Sequence, residues 1–269
     1  MKLHNTARIN LIDIGSVGGL EYPWSKYKSI VGTTLSFEPN GEQFSHENVI
    51  HSNIAIWDRD GEADFSIYGE DGIGSSLLVP NLVWVKENYD WLKTQGNRQL
   101  AATFVERAQL RDRVKRQIRK LDTVLTELSP DRPRFHFLKS DTQSGEWFVL
   151  DGARRYLARE CLGIELECFR YPLYEGLKLE GEVFEYLGEL GFKRWGWTGY
   201  QASFASQADY LFLRTPSTEE EGIIINTIMR VYGTDGPNSI IKKKTPFDRI
   251  LGRLKRKLAR HSGAWSHQI

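Results

Sequence analysis

The fold is decided near the start of the chain by the stretch Ile9-Asn10-Leu11-Ile12-Asp13-Ile14-Gly15, which continues into Ser16-Val17-Gly18-Gly19. A short apolar run of this kind, closed by an acid and a glycine, is typical of a buried parallel strand. The glycines that follow permit positive φ and let a ligand approach the backbone closely. The stretch therefore predicts a strand that ends in a tight turn suited to a ligand.

Strand and helix patterns alternate along most of the rest of the chain. Apolar runs predict strands over 33–37, 49–57, 135–139, 164–169, 192–197 and 208–213, and helical patterns cover 122–128, 146–159 and 182–190. Such alternation implies right-handed crossovers and a mostly parallel sheet. The turn signal at 58–61 predicts a hairpin that returns over 63–68. Residues 69–133 are the least regular, with a helix expected around 82–94 and an extended segment near 113–119.

The composition bounds the class of protein. The 269 residues are 40% hydrophobic and 26% charged, with a mean hydropathy of −0.45, as in ordinary soluble proteins. No run reaches the roughly 18 apolar residues that span a bilayer, and Met1–Asn10 lack the pattern of a secretory signal. Cys161 and Cys168 form no zinc or dithiol motif. We therefore expect buried thiols and a cytoplasmic location.

The net charge of +1 conceals a basic segment at the carboxy-terminal end. Residues 242–260 hold nine Lys or Arg and one acid, Asp248, and apolar residues recur at helical spacing over Phe247–Arg260. This pattern predicts a basic helix that either touches an anionic membrane or packs on its own domain. Neither this segment nor the basic run over 107–120 has the aromatic interleaving of a nucleic-acid platform. We therefore expect no nucleic-acid partner.

Two acids accompany the predicted glycine turn. Ligands of open α/β sheets lie beyond the carboxyl ends of the strands, where Asp13 suits a cation or an ammonium. Glu38 ends the second predicted strand, where an acid commonly accepts both ribose hydroxyls. A dinucleotide prefers G-x-G-x-x-G with amides facing a pyrophosphate, whereas Ser-Val follows Gly15 here. The pattern favours a zwitterionic, sulfonium-bearing ligand over a nicotinamide dinucleotide, and a plain tight turn is the alternative.

Nine blocks of sequence, in order, resemble the FkbM family of S-adenosylmethionine-dependent methyltransferases. They are LIDIGSVGG (11–19), FEPN (37–40), NIAIWDRDGEADFSIY (53–68), GSSL (74–77), IRKLDTVL (118–125), FLKSDTQSGEWFVLDGA (137–153), ELECFRYPLYEG (165–176), ELGF (189–192) and ADYLFLR (208–214). Two positions depart from the family pattern, because Val17 stands where the family often has Asn and Ser144 replaces a usual Gly.

The resemblance implies a class I methyltransferase fold, which is a doubly wound, Rossmann-like α/β fold with a mostly parallel seven-stranded sheet and an antiparallel last strand. This domain would comprise residues 1–214, with an insertion at about 69–133, and residues 215–269 would form a basic helical extension. The implied cofactor is S-adenosyl-L-methionine. Its implied pocket consists of Asp13, Gly15, Ser16, Gly19, Glu38, Asn53 and Ile54, with Asn53 at the adenine.

The resemblance also implies methyl transfer to a hydroxyl of a sugar, glycan or related natural product. The accepting alcohol loses a proton as the new bond forms, so a nearby base accelerates this step by roughly 10²–10⁴-fold. The candidate catalytic residues are Asp141, Glu146 and Glu167. Asp141 is the preferred base, and a helix N-cap is its alternative role. The three carboxylates are also the kind of group that holds Mg²⁺, but no spacing requires a metal and none is predicted.

Several neighbouring residues have two interpretations. Lys139 either lowers the pKa of Asp141 or extends its charge to solvent. His51 is either a base or a satisfied strand histidine. Aromatic residues near predicted strand ends either stack on sugar rings or pack in the core; they are Tyr22, Trp24, Trp147, Tyr174, Trp195 and Trp197. The alternatives to O-methylation are a non-catalytic cofactor-binding module and a nitrogen acceptor, and the oligomeric state is not indicated.

Overall fold

The computed structural model describes residues 7–15, 19–46, 48–69, 74–128 and 130–241. The strands in these ranges are β1 (Ile9–Ile14), β2 (Val31–Phe37), β3 (Phe44–His46), β4 (Val49–Ser52), β5 (Ala55–Ile56), β6 (Gly61–Tyr68), β7 (Leu110–Arg119), β8 (Phe137–Ser140), β9 (Gly163–Phe169), β10 (Phe192–Trp197), β11 (Gln207–Arg214) and β12 (Ser239–Ile240). The α-helices are α1 (Leu82–Glu87), α2 (Tyr89–Leu92), α3 (Arg98–Ala102), α4 (Phe104–Arg107), α5 (Leu121–Glu127), α6 (Glu146–Gly152), α7 (Arg154–Arg159), α8 (Glu180–Glu189) and α9 (Glu219–Tyr232).

The larger sheet has nine strands in the order β12-β10-β11-β9-β8-β1-β2-β4-β3. β1 pairs in parallel with β2 and β8, and parallel pairing continues outward to β4 and to β9. β11 is antiparallel to both of its neighbours, β9 and β10. The expected mixed α/β fold with a large, mostly parallel sheet is confirmed. The sheet is wider than the seven strands expected, because the short strands β3 and β12 pair with its two edges.

Helices cover both faces of this sheet, because its strands are apolar on both sides. Side chains alternate between the faces along each strand. On β1, Ile12 and Ile14 join the core cluster that includes residues of α5, α6, α7 and α8. Ile9 and Leu11 point the other way and pack with Trp24 and α9. The near-continuous apolar strands predicted from the sequence thus follow from burial on two sides.

The segment between β4 and β7 differs from the sequence prediction. The third strand, expected over 49–57, breaks at 53–54, and β5 leaves the large sheet to form a second one with the order β5-β7-β6. β6 is antiparallel to β7, and the expected hairpin pairing between the third strand and 63–68 is wrong. The physical reason is that β7, which lies far away in sequence, inserts between the two strands that the 58–61 turn connects. Ala55, Trp57 and Ile118 form a small apolar core there.

The insertion between β6 and β7 forms four short helices. The helix expected over 82–94 is divided at Asn88 into α1 and α2. Together with α3 and α4 these helices form a separate apolar cluster that includes Phe169 at the end of β9. The insertion therefore lies against the carboxyl end of a central strand. Between Gly19 and β2 the chain forms two 3-10 turns, at Trp24–Lys26 and Lys28–Ile30.

The chain after β11 continues to pack on the large sheet. Ile224, Ile228 and Tyr232 of α9 are buried in the same cluster as Leu11 of β1. The predicted basic helix over Phe247–Arg260 lies outside the described residues. Among the helices that are described, none has both the length and the apolar character needed to cross a bilayer. Cys161 and Cys168 are buried free thiols, as expected.

Candidate functional site

A glycine joins the carboxyl ends of three neighbouring strands. Gly15, directly after β1, has a φ of +80°, and its N–H donates to the Phe37 carbonyl of β2 at 2.9 Å. A Cβ at Gly15 would lie 1.9 Å from the Asp141 carbonyl oxygen, directly after β8. No side chain fits there, so this position requires glycine. Gly19 also has positive φ, but open space surrounds it, and Ser16 lies outside the described residues.

A buried ion pair lies next to this turn. Asp13 of β1 is directly opposite Lys139 of β8 in the sheet register. The two are only 3% and 8% exposed, and the Lys139 Nζ lies 3.4 Å from Asp13 Oδ1 and 3.7 Å from Glu21 Oε2. Burial opposes the charge on Lys139, but the surrounding carboxylates raise its pKa well above the ordinary value. Lys139 therefore remains an ammonium, and the interpretation that it reaches solvent is wrong.

Glu38 follows β2 at the same edge of the sheet. One of its carboxylate oxygens accepts a hydrogen bond from the Asn40 N–H at 3.0 Å. Burial raises the pKa of Glu38, the Asn40 bond lowers it, and the nearby carboxylates of Asp141 and Asp13 raise it further. Three acids from β1, β2 and β8 thus lie close enough to repel one another. This edge accordingly favours a positively charged ligand.

The small second sheet contributes a cation to the loop after Glu38. Arg116 of β7 donates from Nε to the Pro39 carbonyl at 2.5 Å and from Nη2 to Asn40 Oδ1 at 3.3 Å. Its charge also lowers the pKa of Glu38. Arg116 was not predicted from the sequence, because no local pattern indicates that β7 passes this loop.

The predicted adenine contacts lie beside Glu38. The Glu38 N–H donates to the Ser52 carbonyl at the end of β4 at 3.1 Å. Asn53 follows and is exposed, whereas Ile54 is partly buried against the core. The structure therefore places both residues at the same edge as Asp13 and Glu38.

Residues 141–145, here called the Asp141 turn, have an unusual backbone. The Asp141 N–H donates to the Ile14 carbonyl at 3.0 Å, which fixes the start of the turn to β1. Gln143 and Ser144 then have φ values of +53° and +84°. Non-glycine residues held in this region cost of order 1–3 kcal/mol each. Ser144 thus has a left-handed backbone conformation, which glycine adopts more easily than serine. Glycine is the usual residue here in the family that the sequence resembles.

The strained turn places an amide between two carboxylates. Gln143 Nε2 donates to Asp141 Oδ1 at 3.1 Å and to Glu167 Oε2 at 3.3 Å. The other oxygen of Glu167 accepts from the Gln207 amide of β11. The two acids were predicted from the sequence, but the two glutamines were not. Gln143 was detectable, because it lies in the quoted 137–153 block, whereas Gln207 becomes apparent only from the β9–β11 pairing.

Both acids hold protons more tightly than usual. Burial raises the pKa of Asp141; Lys139 opposes this shift, and Glu21 and Asp209 reinforce it. Burial, followed by the charges of Asp141 and Asp209, raises the pKa of Glu167 well above the ordinary range. The structure therefore supports the interpretation in which Lys139 lowers the pKa of Asp141.

The Glu146 side chain bonds back to the Asp141 turn, which directly precedes it in the chain. One of its oxygens accepts from the Thr142 N–H at 2.7 Å and from the Thr142 hydroxyl at 3.1 Å. Burial raises the pKa of Glu146 to about 8. These contacts are those of a residue that holds the Asp141 turn closed, and a catalytic role for Glu146 stays a prediction. The residue at the N-cap of α6 is Gly145, so the N-cap role considered for Asp141 is wrong.

The remaining candidates belong to the core. His51 is buried, its Nδ1 lies 2.7 Å from the Ser36 hydroxyl, and its ring stacks on Phe44 at 4.9 Å. Burial lowers its pKa, so His51 is a satisfied strand histidine. Trp24 and Tyr174 of the aromatic set are buried as well. In the described part of the chain, no three His, Cys, Asp or Glu side chains are arranged to hold a metal ion.

Comparison with known proteins gives a family match. The model of the methyltransferase FkbM domain matches residues 19–194, about two thirds of the chain, and includes Glu38, Asp141 and Glu167. The crystal structure of methyltransferase FkbM from Methylobacillus flagellatus KT is similar over 79% of this chain, with 9% sequence identity and a TM-score of 0.39. The similar region spans 44% of that solved chain. No curated protein matches the sequence.

Proposed function

The chain belongs to the FkbM methyltransferase family, and from this premise we propose that it is an S-adenosyl-L-methionine-dependent O-methyltransferase of a sugar, glycan or related natural product. We assign its central strands, in the order β10-β11-β9-β8-β1-β2-β4, to the class I methyltransferase arrangement. The observation that carries the proposal is the set of mutually repelling acids around Gly15. Such a site attracts a sulfonium and an ammonium and repels a pyrophosphate.

The residues at this edge fit the proposed cofactor. Glu38 uses one oxygen on its own loop, and the other is available for ribose hydroxyls. The 53–54 stretch would contact the adenine, and the backbone at Gly15 and Gly19 would contact the amino-acid end. The bound cofactor supplies a methyl group that its sulfonium has already activated. The chain must then orient the acceptor and remove its proton.

Asp141 is the proposed base. Its raised pKa makes the carboxylate a stronger proton acceptor than an ordinary aspartate, and the charge of Lys139 limits this rise. Gln143 fixes one oxygen of Asp141, and the other can face the acceptor hydroxyl. Both oxygens of Glu167 already accept from the amides of Gln143 and Gln207, so Glu167 is not the proposed base. Glu146 acts as a positioning residue that keeps the turn closed.

The first experiment measures cofactor binding by calorimetry with S-adenosylhomocysteine and, separately, with NAD. We expect binding of S-adenosylhomocysteine, and roughly tenfold or greater weakening in Glu38→Gln, because a charge-assisted hydrogen bond to ribose is lost. Glu42→Gln is the matched control, since Glu42 is exposed in the next loop. Binding of NAD alone, or of neither ligand, would refute the proposal.

The second experiment supplies methyl-labelled S-adenosylmethionine with a panel of neutral and acidic glycans. We expect label in an alkali-stable methyl ether. Label on an amine would favour the nitrogen-acceptor alternative. Tight cofactor binding without any labelled product would favour the non-catalytic module, for which the serine at the strained position 144 is the specific observation.

A further inference from the structure

An arginine without an anionic partner lies beyond the carboxyl end of β9. Arg170 donates its backbone N–H to the Ser206 carbonyl at 2.9 Å, which anchors the main chain. Its side chain makes no ion pair and no hydrogen bond with any described residue, and its Nε is buried without an acceptor. Arginine carries five donors in a rigid plane. A buried donor of a charged group that lacks an acceptor is costly, so this side chain is arranged for an acceptor from outside the chain.

Two tyrosine rings hold the guanidinium in place. The Arg170 Cζ lies 4.5 Å from the ring centroid of Tyr171 and 4.1 Å from that of Tyr200. Glu180 is already engaged, because it accepts from the hydroxyls of Tyr200 and Tyr210. The guanidinium therefore lies over two aromatic rings, its Nε–H is buried without an acceptor, and its Nη groups bond no described residue. A preorganised planar fork of this kind matches a carboxylate or a phosphate.

Arg170 belongs to the same part of the sheet edge as the proposed base. It follows Glu167 by three residues, about 10 Å of extended chain. Ser206, whose carbonyl accepts from the Arg170 N–H, is followed directly by Gln207, whose side chain donates to Glu167. The faces that are open to solvent beside Arg170 are aromatic, since Tyr200 is 37% exposed and Trp91, which contacts Tyr171, is 47% exposed. These two rings offer surfaces on which sugars stack.

We propose that Arg170 binds a carboxylate or phosphate on the acceptor, so that the substrate class is an acidic sugar or glycan. The charge of Asp209, which acts on Asp141, repels an anionic group from the base, while Arg170 attracts it. The acceptor is therefore oriented with its charged group at Arg170 and a neutral hydroxyl toward Asp141. The assignment of this ligand as the acceptor rests on the proposed function, but the binding of an anion does not.

The test records the side-chain Nε–H signals of arginine by ¹⁵N NMR without cofactor, and uses Arg170→Gln to assign the Arg170 signal. The probes are glucuronate, glucose 1-phosphate and glucose. We expect the Arg170 signal to shift with one or both anionic probes and not with glucose. The preferred anion then identifies a carboxylate or a phosphate group. Arg170→Gln should weaken the binding of that probe by roughly ten- to a hundredfold.

Two controls keep the test decisive. Arg194 also lies over an aromatic ring but bonds Asn238, so Arg194→Gln should leave binding unchanged. If Arg170→Gln fails to fold, Arg170→Lys, which also lacks the guanidinium Nε–H but keeps the positive charge, assigns the signal, and the wild-type titration then decides. Equal shifts with glucose, or no shift with any probe, would overturn the proposal. The failure of cofactor binding in calorimetry would instead refute the methyltransferase proposal and leave this result standing.

Discussion

The two halves of the sheet's carboxyl edge are built on different principles. In the β1–β2 half, comprising Asp13, Gly15 and Glu38, a glycine supplies the tight turn and a buried lysine neutralises the first acid. In the β8–β9 half, comprising the Asp141 turn and Glu167, non-glycine residues take up the left-handed backbone and neutral amides bridge the acids. The first arrangement suits a site that binds a cation. The second leaves carboxyl groups with raised pKa values, which suits proton transfer.

The largest effect is expected in the β8–β9 half. Asp141→Asn keeps the shape and the bond from Gln143 but removes the proposed base, so the methyl-transfer rate should fall by roughly 10²–10⁴-fold. The wild-type rate should also fall as the pH drops through the raised pKa of Asp141, because only the carboxylate accepts a proton. Turnover against pH checks both points. A variant that keeps the wild-type rate would remove the distinction between the halves.

The next largest effect is expected at Lys139, whose charge acts on Asp13 in one half and on Asp141 in the other. Lys139→Met leaves buried carboxylates without their partner and should lower the free energy of unfolding by about 3–5 kcal/mol, measured by urea denaturation. The pKa of Asp141 should rise further, and the acidic limit of activity should move to higher pH. Lys178→Met is the control, because the exposed Lys178–Glu182 pair is worth less than about 1 kcal/mol. Equal losses in the two variants would contradict the buried ion pair.

The β1–β2 half is tested by adding a single methyl group. Gly15→Ala combines positive φ with a clash against the Asp141 carbonyl and should lower the free energy of unfolding by roughly 2–4 kcal/mol, with loss of S-adenosylhomocysteine binding. Gly19→Ala has the same unfavourable φ but open space, so it should lose only about 1–2 kcal/mol. Thermal unfolding and calorimetry measure the difference. If the two variants behave alike, the close contact between Gly15 and the Asp141 carbonyl is needed neither for stability nor for S-adenosylhomocysteine binding.

The smallest effect isolates the backbone of the Asp141 turn. Ser144→Gly and Ser144→Ala both remove the same hydroxyl, but only alanine keeps a Cβ at a φ of +84°. The glycine variant should therefore be the more stable of the two by about 1 kcal/mol, as measured by denaturant unfolding. An alanine variant of equal or greater stability would show that this turn is not strained.

The sequence was most informative where an interaction is local. The apolar run before Gly15 and the acids at strand ends were identified, because a strand, its turn and its following acid are contiguous. The pairing of β6 with β7 was not, since the intervening insertion hides which strand lies beside Phe65. For the same reason Arg116 and Gln207 were missed. Arg170 was missed because a single arginine after a strand has no pattern, and only the two rings that enclose it distinguish it.

The insertion leaves and re-enters the second sheet at a single point. Tyr68 is opposite Leu110 in the register, and the Gly69 N–H donates to the Gln109 carbonyl at 3.0 Å. Because these ends are held together by the β6–β7 ladder, the length of chain between them changes the closure entropy only slowly. The fold therefore tolerates a change in the length of this segment at little cost in closure entropy, while the β1–β2 half of the sheet edge keeps its contacts.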